Sequence, residues 1–378
     1  MADVAIVGGG VIGCAAAYHL AGEGARVTLV ERGELAGEAS GAAAGLLVPP
    51  IEAVPTGAYR DLCLAGAAAY PSLVETLESE SGIDVRYLES GILLPARSNS
   101  HARAVRSLVG SEALGVPLEW VEGEPLRRLE PGLRDDLLGA GYAAQGRHVN
   151  PGLLSQALAR AAERRGARLM VATGVSRFLR RGDTVTGLRT SDGGTVEADS
   201  VVLAAGPWTA RLARRLGAVV PTRPMRGQML AYRTGSIRHA VWGESGYLVP
   251  KSGGFLFAGA TVEDVGFRPR TTARGLARLR RMASALAPAL RHAEVASAWA
   301  GLRPGSPDGR PIIGPLPGWA NVIVATGHFR NGILLGPITG RLVAQLITKG
   351  ETEQPLDPFS PARFGQPAPP AHGELVEP

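Results

Sequence analysis

Cysteine is nearly missing from this chain: Cys14 and Cys63 are the only two among 378 residues, and no C-x-x-C spacing occurs. That argues against a disulfide framework, a zinc cluster and a dithiol redox centre, and leaves both as packed thiols. Lysine is as scarce, with Lys251 and Lys349 alone, so the net charge of +6 is almost all guanidinium. The arginines come as scattered pairs, such as Arg127-Arg128, Arg164-Arg165 and Arg280-Arg281, on mixed stretches. A nucleic-acid interface needs a concentrated basic stripe or interleaved aromatics, so no nucleic-acid partner is expected. Long apolar runs are missing too. No window holds the ~18 unbroken apolar residues that a membrane span requires. The apolar start carries Gly8, Gly9, Gly10 and Gly13 without a basic leader, so it does not read as a signal peptide. The expectation is a cytoplasmic protein with no membrane association.

What is present is glycine, 51 residues of it, in a chain that is 45% hydrophobic and long enough for two domains. "VAIVGGG" is a short β-forming run that stops at glycine, "VIGCAAAYHLAGEG" continues at helical spacing, and "ARVTLVER" is a second buried strand. Gly8, Gly10 and Gly13 fill the G-x-G-x-x-G positions of this βαβ unit. The first makes the tight turn, the second admits a pyrophosphate to the helix N-terminus, and the third lets helix pack on strand. Glu31 ends the second strand, where a carboxylate can accept from both ribose hydroxyls and repels a 2′-phosphate. A dinucleotide is expected and NADP disfavoured. The motif by itself does not choose between NAD and FAD, which share the ADP half.

Further along, "GELAGEASGAAAGLLVPP" is a run of small residues around Ser40 that lets backbone approach a flat ligand. Asn150 and Pro151 cap and start a helix that runs to Gly166, a strand follows at "ARLMVAT", and a three-stranded segment turns at Gly193-Gly194. "SVVLAAG" is another buried strand ending in Gly206. Residues 86–145 and 221–298 alternate apolar and polar with glycine between, which suits an antiparallel sheet covered on one face. The expected fold is α/β: a discontinuous Rossmann-like domain of residues 1–85, 146–220 and 299–350, and a mainly antiparallel substrate domain of 86–145 and 221–298. The Pro-rich tail 351–378 is expected to be loose.

The fingerprint with Glu31, "ASGAAAGLL", "VVLAAGPW", "GLRPGSPDGRPIIG" and the following "ATGHFRNGILLGP" together resemble the D-amino-acid-oxidase-like flavoproteins, and within them the glycine oxidases of thiamine biosynthesis. The likeness runs in order along the chain to about Gly350. It implies noncovalent FAD in an extended form. Adenosine would lie on Gly8, Gly10, Val11, Ile12 and Gly13 with Glu31 and Arg32, and adenine near the backbone of Val175. Ala205, Gly206 and Trp208 would join this wall. The isoalloxazine would run between Ser40, Ala43, Ala44, Gly45 and Leu47 on one side and Arg330, Asn331, Gly332, Ile333 and Leu334 on the other. Related sarcosine oxidases tether their flavin through a late cysteine, and none occurs here after Cys63.

The activity implied is oxidation of a small amino acid by hydride loss from Cα to flavin N5, with molecular oxygen reduced to hydrogen peroxide. Glycine leads, ahead of sarcosine, other N-alkyl glycines, and small D-amino acids or D-proline. Once the amine is neutral no protein acid or base is strictly required, and the site must mainly orient the carboxylate. A guanidinium fork matches a carboxylate, so Arg303 is the expected principal clamp, with Arg330 and the Tyr247 phenol beside it. The helix entered at Asn331-Gly332-Ile333 would face the negative charge of the reduced flavin. His328 reads better as a structural or flavin-edge residue than as a base. Met225, Arg226 and Met229 are compatible with the site wall and equally with a core or surface role. The rival readings are a dehydrogenase of the same fold that passes electrons to a quinone, a noncatalytic FAD-binding protein, and an NAD-dependent dehydrogenase. Oligomeric state is not readable from spacing, and a homo-oligomer is compatible with it.

Overall fold

The computed structural model describes residues 2–49, 57–110 and 115–365. The opening strand Asp3–Val7 pairs in parallel with Arg26–Val30 on one side and Ser200–Leu203 on the other. Arg168–Met170 and Val322–Thr326 extend this sheet in parallel, and Ile312–Pro315 closes one edge antiparallel, making six strands. The central strands are buried on both faces, which is why they read as near-continuous apolar runs. Val4 and Ile6 face a layer of helices, whereas Ala5 and Val7 face a small antiparallel sheet of Val175–Arg181, Thr184–Thr190 and Thr195–Glu197.

Helix Val11–Gly22 is apolar all round because it lies between the sheet and two other helices, Pro151–Arg164 and Gly332–Lys349. Small residues set these approaches: a Cβ at Gly13 would lie 1.9 Å from the Gly8 carbonyl oxygen, and one at Gly340 2.4 Å from the Ala15 carbonyl carbon. Cys14 and Cys63 are both buried free thiols, pushed up to about 12 by that burial. Asn150 caps its helix as expected, its side-chain oxygen accepting from the Leu153 N–H at 3.1 Å.

The second unit is an eight-stranded sheet that includes Ile92–Ala96, Gly139–Ala143, Arg223–Arg233, Ala240–Gly243, Gly246–Lys251, Phe255–Gly259 and Val295–Gly305. Its neighbours are antiparallel except for one parallel pair, Ile92–Ala96 with Ala240–Gly243. Helix Ala273–Leu286 covers one face, where Leu279, Met282 and Ala283 join Leu230, Leu248 and Leu256 in a core. The other face carries Met229, Tyr247, Phe257 and Trp299 and meets Ala44 and Leu46 of the first unit.

Two expectations are corrected. The strand Val295–Gly305 pairs with Arg223–Arg233 as far as the Arg223–Gly305 couple, so residues 299–305 belong to the second sheet. A boundary placed at a change of pattern missed a strand that continues through its own glycines. The tail is not loose over its first part: Phe359 is 1% exposed, and Arg363 pairs with Asp308 at 2.9 Å. Its prolines open the short turns Asp357–Phe359 and Pro361–Phe364 instead of unravelling the chain. Residues 366–378 of the expected tail lie outside the described residues.

Candidate active site

One cavity of about 1030 Å³ begins at the ends of the parallel strands, where Val7, Val30 and Ala204 line it, and continues beneath the eight-stranded sheet. It lies at the upper end of the usual range for cofactor and small-molecule sites. At its first end the walls are mostly backbone. Gly8 holds φ +117°, and a Cβ there would sit 2.5 Å from the Ala204 carbonyl oxygen, so no side chain fits. Gly10 precedes the first turn of helix Val11–Gly22, and the Ser40 hydroxyl accepts from the Val11 N–H at 2.9 Å.

Glu31 is held by two backbone donors, the N–H of Gly9 at 2.6 Å and of Gly33 at 2.8 Å. Each carboxylate oxygen keeps a further lone pair for a hydroxyl in the cavity. Arg32 lies 4.0 Å from the centroid of the Trp208 ring and pairs with Glu38 at 2.9 Å. The Val175 carbonyl is already engaged by Arg215 at 2.9 Å, a contact that sequence reasoning missed. Ala43, Ala44, Gly45, Ala205 and Gly206 line the cavity between the two ends.

The strand Val322–Thr326 is folded back into helix Gly332–Lys349 by two left-handed residues, Gly327 at φ +75° and Phe329 at φ +47°. A phenylalanine there is strained, and the Phe329 N–H bonded to the Pro304 carbonyl at 2.9 Å helps hold it. Leu335 donates within the helix to the Asn331 carbonyl at 2.8 Å, so the N–H groups of Gly332, Ile333 and Leu334 are the terminal donors of the helix. The Asn331 side chain is not the cap; its amide donates to the Tyr59 hydroxyl at 2.6 Å. His328 is 1% exposed and its Nε2 lies 3.0 Å from Thr339 Oγ1. Burial pushes its pKa down to about 3, so it is a neutral ring and no base poised near pH 7.

At the far end Arg303 lies half-buried across Gly227, where a Cβ would come within 2.1 Å of its Nη1. Its Nη1 donates to the Thr261 carbonyl at 3.1 Å, which leaves most of the fork for another acceptor. Burial and the like charge of Arg330 lower the proton affinity of Arg303, and the Tyr247 hydroxyl works against them. Burial in turn raises the Tyr247 pKa, opposed by the Arg303 and Arg330 charges, so the phenol is a neutral donor. Tyr247 reaches Met229 Sδ at 3.4 Å, a meeting made possible by Gly259, whose Cβ would lie 2.2 Å from that sulfur. Arg330 is exposed at this end, 5.5 Å from the Phe329 ring centroid.

Most of the expected residues thus border one cavity, and several do not. Gly13 packs helix on strand, while the Leu47 and Leu334 side chains are buried in the helix-layer core, because each is directed away from the ligand-facing side of its segment. Arg226 is bound to Glu263 and is 5% exposed, and Met225 packs by Gly305; of the three residues from that strand only Met229 lines the cavity. Tyr59 and Trp242 went unseen. Trp242 stacks on Tyr247, its register partner, at 5.7 Å, and the aromatic pair flanking the glycines of "WGESGY" was a readable signal for it.

These residues fit an extended dinucleotide: a glycine turn and helix N-terminus for phosphate, a fixed carboxylate for ribose, and a small-residue wall reaching the arginine end. Known proteins agree. The family model described as FAD dependent oxidoreductase matches residues 3–346. A glycine oxidase of Geobacillus kaustophilus is 38% identical over 96% of this chain and 97% of its own length. A bifunctional protein ThiO/ThiG of Trichormus variabilis is 34% identical over 96% of this chain, which spans 55% of that longer protein. The crystal structure of glycine oxidase from Geobacillus kaustophilus superposes with a TM-score of 0.89 at 37% identity, covering 96% of this chain and 98% of the other. With the fingerprint, the cavity and these likenesses in agreement, the chain belongs to the FAD-dependent oxidoreductases.

Proposed function

We propose that this protein oxidises glycine, or a small amine-bearing carboxylate close to it such as sarcosine, with oxygen as electron acceptor. Bound FAD would supply the acceptor for a hydride from the substrate α-carbon, with oxygen as the final oxidant and hydrogen peroxide as its product. The observation that carries the reading is the Arg303 fork laid across Gly227 beside Tyr247 and Met229, at the end of the cavity opposite the fingerprint. Two cations and a phenol there form a grip for one carboxylate.

Gly8, Gly10 and Glu31 would hold the adenosine and pyrophosphate half, and the turn Asn331–Ile333 the ring half. The chain needs no proton-transferring group of its own: His328 is neutral and buried, and a neutral substrate amine supplies the electron pair. The glycine oxidase and ThiO/ThiG relatives support a place in thiamine thiazole synthesis, with the imino acid as the product passed on. The division into a cofactor unit and a substrate unit, and a cytoplasmic setting, belong to the same proposal.

The test is peroxide release under air with glycine, sarcosine, D-alanine, D-proline and L-proline. Glycine or sarcosine is expected to give the highest kcat/KM. Reduction of a dye without peroxide from any of the five would overturn the oxidase reading.

A further inference from the structure

We propose that Tyr70 is a positioning residue for the flavin: it holds the first turns of helix Gly332–Lys349 open at the cavity by taking over a carbonyl that Pro337 leaves without its helical donor. In an α-helix the carbonyl of residue 333 accepts from the N–H of residue 337. Residue 337 is proline, which has no N–H, so the Ile333 carbonyl has lost its ordinary partner one turn into the helix. The Tyr70 hydroxyl donates to that carbonyl.

Tyr70 is 0% exposed and stacks on Tyr87 with ring planes 1° apart, so its hydroxyl has a fixed direction. Burial raises its pKa well above the ordinary phenol value, which keeps it a donor. Its helix, Ala58–Ser81, is pressed against the last helix at Gly66, where a Cβ would lie 2.9 Å from the Leu334 carbonyl oxygen. The same helix also supplies Tyr59, whose hydroxyl takes the Asn331 amide. Two tyrosines of one helix therefore fix the turn that lines the cavity at Asn331, Gly332 and Ile333.

The pairing has an electrostatic consequence. A buried carbonyl left unpaired one turn from the helix start would be relieved by local unwinding, which turns the terminal N–H groups away from the cavity. Those N–H groups and the positive end of the helix favour negative charge on a ligand beside them. Tyr70 should therefore raise the reduction potential of the bound ring without touching it. The inference rests on the functional reading only for placing the ring at this turn.

The test uses the purified holoenzyme and two readouts, the midpoint potential of the flavin and the dissociation constant for sulfite, which adds to oxidised flavin and leaves negative charge on the ring. Tyr70→Phe is expected to weaken sulfite binding about tenfold and to lower the two-electron potential by the equivalent ~30 mV, with KM for glycine unchanged. In Pro337→Ala the N–H of residue 337 returns to Ile333, so adding Tyr70→Phe there should change sulfite binding by less than threefold. A full tenfold effect in the Pro337→Ala background, or an unmoved potential in Tyr70→Phe, overturns the proposal while peroxide formation from glycine leaves the functional reading standing. If Tyr70→Phe alone fails to fold, the double variant must fold and hold FAD; failure of both overturns the proposal as well.

Discussion

The fingerprint end of the cavity is made largely of backbone, and the arginine end of side chains. Gly8, Gly10 and the Gly9 and Gly33 N–H groups act within one βαβ unit, and Glu31 is fixed by donors 22 and 2 residues away. Arg303, Tyr247 and Met229 come from three strands and meet because the sheet register sets Met229 and Tyr247 each against Gly259 and lays Arg303 over Gly227. Glycine serves both ends in different ways. At Gly8 it permits a backbone angle; at Gly227 and Gly259 it clears space that a neighbour's side chain occupies.

That contrast predicts which end fails first. Gly8→Val should be the most damaging change, because its Cβ would collide with the backbone at Ala204, which cannot yield. Protein purified from this variant should carry no flavin absorbance. Arg303→Ala should spare bound FAD but raise KM for glycine about 100-fold, from loss of charge-assisted hydrogen bonds. Arg303→Lys should recover little of this, since an ammonium does not reproduce the fork; a normal KM in either variant would move the clamp elsewhere.

Glu31→Gln tests the other end, with FAD dissociation expected to rise about tenfold and glycine KM unchanged. Tyr247→Phe should be milder, about a fivefold rise in KM for the loss of one neutral donor.

A pH prediction follows from three histidines, His328 and His148 buried and His19 half-buried. His328 and His148 are pushed down to about 3 and His19 to about 4, chiefly by burial, with Lys251 adding to the effect at His148 and Arg341 and Arg165 at His19. Each folded-state value lies below the ordinary 6.5, so the unfolded chain binds more protons between those limits. The histidine contribution to stability should be fully present above about pH 6.5 and fall as pH drops towards 3, seen as a declining thermal midpoint. His19→Gln should flatten that decline slightly. Lys251 adds a slope at higher pH: burial lowers it to about 7, so stability should rise between pH 7 and its ordinary 10.5, and Lys251→Met should remove that rise.

Much of this was legible from residues alone because the βαβ unit is local. Strand, glycine turn, helix, strand and Glu31 lie within one continuous stretch, and helix caps such as Asn150 signal themselves. The losses were of other kinds. Leu47 and Leu334 sit in segments that face the cavity, but side-chain direction within an irregular run or a first helical turn is not set by spacing. Arg226 shares a strand with Met229, yet its partner Glu263 lies 37 positions away and only the folded loop reveals it. The tail misled because proline serves equally well to start an ordered turn and to keep a chain extended.

Sequence by itself determined the dinucleotide end, the carboxylate at the close of the second strand and the strand-turn-helix at residues 322–349, since backbone angles and short-range periodicity decide those. Tertiary structure alone decided that Arg303 would lie over Gly227 beside Tyr247, and that Tyr70 would answer a carbonyl freed by Pro337. Both depend on which strand pairs with which and how closely two helices approach, and those are set by packing summed over the whole fold.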